Sequence, residues 1–301
     1  MAHPTKAGRG ADLYIPPDTG RGRKTAIEMA IRRKAILYTR YLNYSAQFGT
    51  AGETVVRESL GDALKFGYTS ININQLFGEV KKVGATALQG ALDSGAWLST
   101  IDPITALPRQ THAVLIEVKN RRLTLYPRHA EVHQLLHKAA VVRNANVQLP
   151  VIPLLVCRRA HDRLFWMAKD LGFHVAETRR QFLTLPPKTE TRLLDEIRTE
   201  LALHDLTLIT PASRPRIEAV FQERLPKLGP ATAERWALAG STLTPYYAAL
   251  RKETLKPWER NISLARLRTA AEIALDQAGV ENPVLAWALE EDAEPDLLDS
   301  V

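Results

Sequence analysis

Glu117 and Lys119 stand two residues apart in the run Val114-Leu115-Ile116-Glu117-Val118-Lys119-Asn120, which is otherwise apolar and β-branched in character. A strand directs residues i and i+2 to the same face, so the carboxylate and the ammonium emerge side by side. Charges within a strand of buried character are costly unless something there uses them. A divalent metal and a phosphate are their natural users, the first for the carboxylate and the second for the ammonium.

The triplet is common by itself, and Glu79-Val80-Lys81 repeats it. That copy follows Phe77-Gly78 and lacks a β-prone run after it, which makes it the weaker candidate. Position strengthens the other copy. Residues 92–101 and 112–119 have strand character, with Asp102-Pro103 and Pro108 punctuating the connection. An antiparallel hairpin with its turn near residue 105 places Asp93 opposite Glu117, with Cβ atoms about 4.5–5.5 Å apart. Two carboxylates that close repel each other unless a cation lies between them. Asp102, at the turn, falls out of reach.

The elements that must position these groups follow from periodicity. Residues 25–48 carry a helical pattern, broken by Phe48-Gly49-Thr50, and Thr50 to Glu53 opens a second helix as a capping box. Residues 71–89 read as a helix or as irregular structure. Residues 130–145 form a helix, and 149–157 form a nearly continuous apolar strand of the kind buried on both faces. Residues 161–171 are helical, Gly172 stops them, and 173–176 make a short strand. Residues 1–24 are expected to form a disordered basic arm. After Pro186-Pro187 only helices are expected, which sets a domain boundary near residue 186. The last twelve residues hold six acids and no base, the signature of a disordered acidic tail over 290–301.

The order of these features resembles the PD-(D/E)xK, or restriction-endonuclease-like, nuclease superfamily. Its pattern is a helix with an acid, a strand with Asp, a strand with Glu-x-Lys, then helix and strand. The matching positions are Glu53 or Glu58, then Asp93, then Glu117 and Lys119, with Gln134 on the following helix, where many members carry Gln. Residue 92 is Leu where the motif has Pro. The resemblance covers about residues 50–185 and leaves the helix at 25–49 and the helical region at 186–289 unmatched. It implies an α/β fold with an αβα core and a mixed central sheet. It also implies a Mg²⁺- or Mn²⁺-dependent endonuclease acting on DNA, with RNA not excluded, and a homodimer, because each site cuts one strand. Asp93, Glu117 and the backbone carbonyl of Val118 would hold the metal. Lys119 would orient the attacking water and offset charge on the phosphate. Family analogy further suggests mobile-element or antiviral defence machinery, with the C-terminal helices contacting a protein partner. The alternative is a non-catalytic nucleic-acid-binding or assembly subunit that keeps the fold.

Charge supports a polyanionic partner. The 301 residues carry 40 Lys and Arg against 33 Asp and Glu, but the last 116 carry 14 against 19, so the basic excess lies in the first 185. Arg32 and Arg33, beside Tyr38, Tyr41 and Tyr44, are candidate nucleic-acid contacts, as are Arg121, Arg122, Arg128 and Arg143 after the site. His129, His133 and His137 fall on one helix face, yet no cysteine or His-Glu-x-x-His pattern accompanies them, so zinc is disfavoured. No apolar run approaches a bilayer span and no secretory h-region is present. The single cysteine, Cys157, fits a reducing cytoplasm. No phosphate-binding glycine loop of the Walker type occurs, which argues against an intrinsic ATPase.

Overall fold

The computed structural model describes residues 3–7, 11–15, 21–102, 104–105, 107–184 and 191–288. Strands β1 (His3–Ala7) and β2 (Ala11–Ile15) pair antiparallel, where an unstructured arm was expected. Density of Gly and Pro conceals the short alternation Asp12-Leu13-Tyr14-Ile15 that a strand can use. Helix α1 (Arg21–Asn43) passes to α2 (Ser45–Asp62) at Tyr44, rather than at the expected break near Gly49. Glycine tolerates a helix interior, and here both Gly49 and Gly52 lie within α2. The expected capping box does not form: the Thr50 carbonyl accepts from the Thr54 hydroxyl, and Glu53 pairs with Arg57 at 2.8 Å.

Three short strands follow, β3 (Tyr68–Ser70), β4 (Val80–Val83) and β5 (Thr86–Leu92), then β6 (Ser94–Ile101) and the long β7 (Pro108–Leu125). Residues 71–79 are irregular, one of the two expected alternatives, while the hairpin β4–β5 takes the rest of the span 71–89, with Gly84 at its turn in the left-handed region. Helix α3 (Ala130–Ala145) matches its expected bounds, with Glu131 in its first turn and Arg143 in its last complementing the helix dipole. Strand β8 (Val151–Ala160) is buried over its first eight residues. Helix α4 (Asp162–Leu171) stops at Gly172, and β9 (His174–Glu177) follows. Next come β10 (Gln181–Leu183), α5 (Thr191–Glu200) and β11 (Leu206–Leu208). Helix α6 (Pro215–Ala219) continues through a π-helical turn into α7 (Leu225–Leu238), and α8 (Thr244–Leu250) and α9 (Pro257–Gln277) complete the described chain.

The chain is an α/β protein with a mixed five-stranded central sheet, ordered β3-β6-β7-β8-β9. The pairs β3–β6 and β6–β7 are antiparallel, while β7–β8 and β8–β9 are parallel. Alternation along β7 divides the interior. Ala113 and Leu115 pack with α3, α4, α8 and α9 on one face. Val114, Ile116 and Val118 pack with α2, α6 and the start of α7 on the other. Helices therefore cover both faces, as an apolar central strand requires.

The expected boundary near residue 186 does not separate two cores. Trp236, Tyr247, Leu267 and Trp287 share a cluster with Leu115 and Leu135, and Phe221 and Leu225 share the other with Ile116. Nor is the region after 186 wholly helical, since β11 pairs parallel with β10. Pro186-Pro187 and the acidic tail lie outside the described residues.

Histidines held neutral by burial make this fold sensitive to acid, and His133 and the half-buried His174 are the most strongly affected. His133 is fully buried, donates from Nε2 to the Pro127 carbonyl at 2.7 Å, and is held neutral by burial, its pKa lowered to about 3. Burial likewise lowers His174 to about 4. Their folded-state values lie below the unfolded value of about 6.5, so this contribution is complete above that pH and is lost as pH falls toward the folded values. The melting temperature should therefore drop between about pH 6.5 and pH 4. His133→Leu should flatten that slope while lowering stability at pH 7 through the lost hydrogen bond; an unchanged slope would clear His133 of the effect.

Candidate metal and phosphate site

The pairing of β6 with β7 sets the geometry. Ser94 lies against Ile116 and Gly95 against Leu115, so the next step along the pair brings Asp93 against Glu117. This is the relationship that the hairpin argument requires. Asp93 is the single residue between β5 and β6, where the chain passes from the β4–β5 hairpin into the central sheet. Its Oδ2 accepts the Val118 amide proton at 2.6 Å. Val118 was expected to contribute its carbonyl, and the contact made here is through its N–H.

Glu117 is 4% exposed, and both of its oxygens are held by ammonium groups. Lys119 Nζ lies 2.8 Å from Oε1, and Lys138 Nζ, from α3, lies 3.1 Å from Oε2. Burial, and then the charge of Glu117, push the Asp93 carboxyl up to about 6, against the opposing pull of Lys119 and the Val118 amide. Burial opposes protonation of Lys119, but Glu117 and Asp93 outweigh it and hold its ammonium above the usual lysine value.

Of the two candidate helix acids, Glu53 is the one that interacts with the site. Burial raises its pKa, the charges of Glu79 and Glu117 add to the rise, and Arg57 and Lys119 oppose it. Glu58 points elsewhere, bonded to Arg214, which also meets Asp62 and Glu218. Glu79, from the discounted second triplet, therefore belongs to the electrostatic surroundings of the site, and its strand β4 is part of the hairpin that delivers Asp93. The contact of Gln134 also leads away, its amide donating to Glu253 at 3.0 Å. Lys138, one turn further along α3, takes the contact with Glu117 instead. Sequence reasoning missed Lys138, and the available signal was its spacing of four residues from Gln134 on one helix face.

Gly52 permits the close approach of α2 to β7. A Cβ there would lie 2.6 Å from the Asn120 Cβ and 3.1 Å from a Val118 methyl, neither of them the free end of a flexible chain. Gly52→Ala gains about 0.5–1 kcal/mol of helix propensity but incurs overpacking of about 1–3 kcal/mol, so net destabilisation is expected. Thermal unfolding checks this, and a raised melting temperature would contradict it.

The candidate nucleic-acid arginines divide. Arg122 and Arg158 both bind Asp205, and although burial would raise the Asp205 carboxyl, the two guanidiniums hold it below the usual carboxylate range. Arg122 also donates to Gln181, so its guanidinium ties β7 to β10 and to Asp205 just before β11. Arg143 donates to the Asn146 carbonyl at the end of α3, and Arg33 pairs with Glu196 and Glu200 on α5. These are internal partners as well. Arg121 is largely exposed, 3.7 Å from Glu131, and Arg128 lies over the Tyr126 ring. Arg32 is exposed and lines an open groove on α1 with Met29, Ile36 and Arg40.

The three histidines of α3 are used locally. The His129 Nδ1 accepts the Tyr126 amide proton, His133 holds Pro127, and His137 accepts from Arg251. Among the described residues no group of three or more His, Cys, Asp or Glu side chains is placed to hold a metal ion. A hard divalent cation does not require one: Mg²⁺ commonly binds through one or two carboxylates and completes its shell with water and substrate phosphate. Asp93 and Glu117 fit that donor set. Cys157 is buried, which pushes its thiol up and leaves it inert. Among the described residues no helix is long and apolar enough to cross a membrane. The chain matches no known protein family, no curated protein and no solved structure.

Proposed function

We propose that the chain is a metal-dependent nuclease of the restriction-endonuclease-like type, hydrolysing DNA phosphodiester bonds at Asp93, Glu117 and Lys119. The observation that carries this is the meeting of Asp93, from the β5–β6 junction, with Glu117 and Lys119 at the middle of β7. When bound, Mg²⁺ or Mn²⁺ would neutralise charge on the scissile phosphate and lower the pKa of the attacking water. Asp93 and Glu117 would hold it. Lys119 would leave Glu117 for a non-bridging phosphate oxygen, where its ammonium offsets the charge that grows in the transition state. Glu53, whose carboxyl interacts electrostatically with Glu117 and Lys119, would orient the water and accept its proton.

Incubation of plasmid, linear duplex and single-stranded RNA with Mg²⁺ or Mn²⁺ tests this directly. Nicking or linearisation that stops on chelation supports the proposal. The second reading, a binding or assembly subunit, is favoured by one observation: two lysine ammonium groups pair with the two oxygens of Glu117. Duplex binding with a steep salt dependence and no cleavage in either metal would favour that reading.

A further inference from the structure

Lys138 is 7% exposed, and its ammonium makes two contacts that belong to different halves of the site. One is Glu117 Oε2 at 3.1 Å and the other is the Ala91 carbonyl at 2.6 Å, two residues before Asp93. The strand turns toward that contact at Gly90, whose φ of +89° is in the region that favours glycine. A single side chain on α3 thus ties the strand that carries Glu117 to the segment that carries Asp93. The two lysines of the site divide the oxygens of Glu117 between them. Lys119 is on Oε1 at 2.8 Å. Lys138 holds the other.

We infer that Lys138 is a positioning residue for a divalent cation, fixing Glu117 through Oε2 and the Asp93 segment through the Ala91 carbonyl, so that Oε1 is left as a single-oxygen ligand. The inference rests on the proposed metal site and assigns opposite roles to its two lysines. Lys138 supports the carboxylate from behind and stays in place when metal binds. Lys119 occupies the oxygen that the metal takes, so it competes with metal in the empty site and is released toward the phosphate. A partner that orients a metal ligand from behind contributes to affinity without touching the ion.

Calorimetric titration of the metal-free, full-length chain with Mn²⁺, without nucleic acid, separates these roles. Lys138→Met should weaken Mn²⁺ binding about 10–100-fold, as loss of a ligand-orienting partner does. Lys138→Arg should recover most of the loss, and Lys119→Met should bind at least as tightly as the wild type. Equal binding by Lys138→Met and wild type would overturn the inference, as would Lys138→Arg failing as badly as Lys138→Met. Melting temperatures of the metal-free variants report folding, and Lys138→Gln replaces Lys138→Met should the latter unfold, with the same weakening expected. Plasmid cleavage by the wild type is scored separately. Mn²⁺ binding in the expected order without cleavage keeps this inference and removes the nuclease assignment, whereas a wild type that binds no Mn²⁺ overturns both.

Discussion

Lys119→Ala should lower metal-dependent cleavage by about 10²–10³-fold, the usual effect of removing one group that stabilises charge in a transition state. Folding should survive, because Lys119 is partly exposed and its loss leaves Glu117 still bonded to Lys138. Asp93→Asn should reduce cleavage at least as far by a different route, since it removes a negatively charged ligand while its Oδ1 can still accept the Val118 amide proton. Lys81→Ala is the matched control. It removes the lysine of the second Glu-x-Lys triplet, which is highly exposed and pairs only loosely with Glu79 at 3.9 Å. Cleavage should be unchanged in that variant. Equal loss from Lys81→Ala and Lys119→Ala would mean that the wrong triplet had been assigned, and full activity in Lys119→Ala would remove the site altogether.

The contrast between the two triplets shows what was legible in the sequence. Both are Glu-Val-Lys; the whole of one lies within β7, whereas of the other only Val80 and Lys81 lie on a strand, at the start of β4. Only the setting of Glu117 distinguished them, through an apolar run that had to be a central strand and a turn position that fixed its register. Register follows from alternation and turn placement, both local properties, so the opposition of Asp93 and Glu117 could be derived before any fold was known. The same holds for α3 and α4, whose ends are marked by charge and by Gly172. What escaped was long-range. The β4–β5 hairpin lacks strong alternation and is held by packing against α3 and β7. The Thr50–Glu53 pattern suggested a cap, but a helix already continuous from Ser45 leaves no free amides there to be capped. Lys138 could not be assigned from spacing alone, because a lysine on an apolar helix face usually reaches solvent. Its burial against Glu117 is a property of how α3 crosses the sheet.

Asn120→Ala should cost the fold about 3–6 kcal/mol, a large share of the 5–15 kcal/mol that usually separates folded from unfolded chains. Asn120 follows Lys119 on β7 but points to the opposite face, toward α2, and is 5% exposed. Its amide nitrogen donates to the Phe48 and Phe182 carbonyls, each at 2.7 Å, and its oxygen accepts the Phe182 amide proton at 2.8 Å. Truncation leaves three buried backbone groups without these partners, at about 1–2 kcal/mol each once water partly replaces them. Asn120→Asp should be no better, because a carboxylate retains the bond from Phe182 but turns an acceptor toward two carbonyls and buries a charge. Chemical denaturation at pH 7 measures both, and a loss below about 1 kcal/mol would show that the three bonds are replaceable. The consequence for activity differs in kind from that of Lys119→Ala. Asn120 fastens α2, and with it Glu53, to the strand that bears Glu117 and Lys119, yet it touches none of the proposed metal ligands. At low temperature the folded fraction of Asn120→Ala should therefore bind Mn²⁺ and cleave nearly as the wild type does, with the defect growing on warming. Two neighbours on one strand would then fail in separable ways, because their side chains point to opposite faces of the sheet.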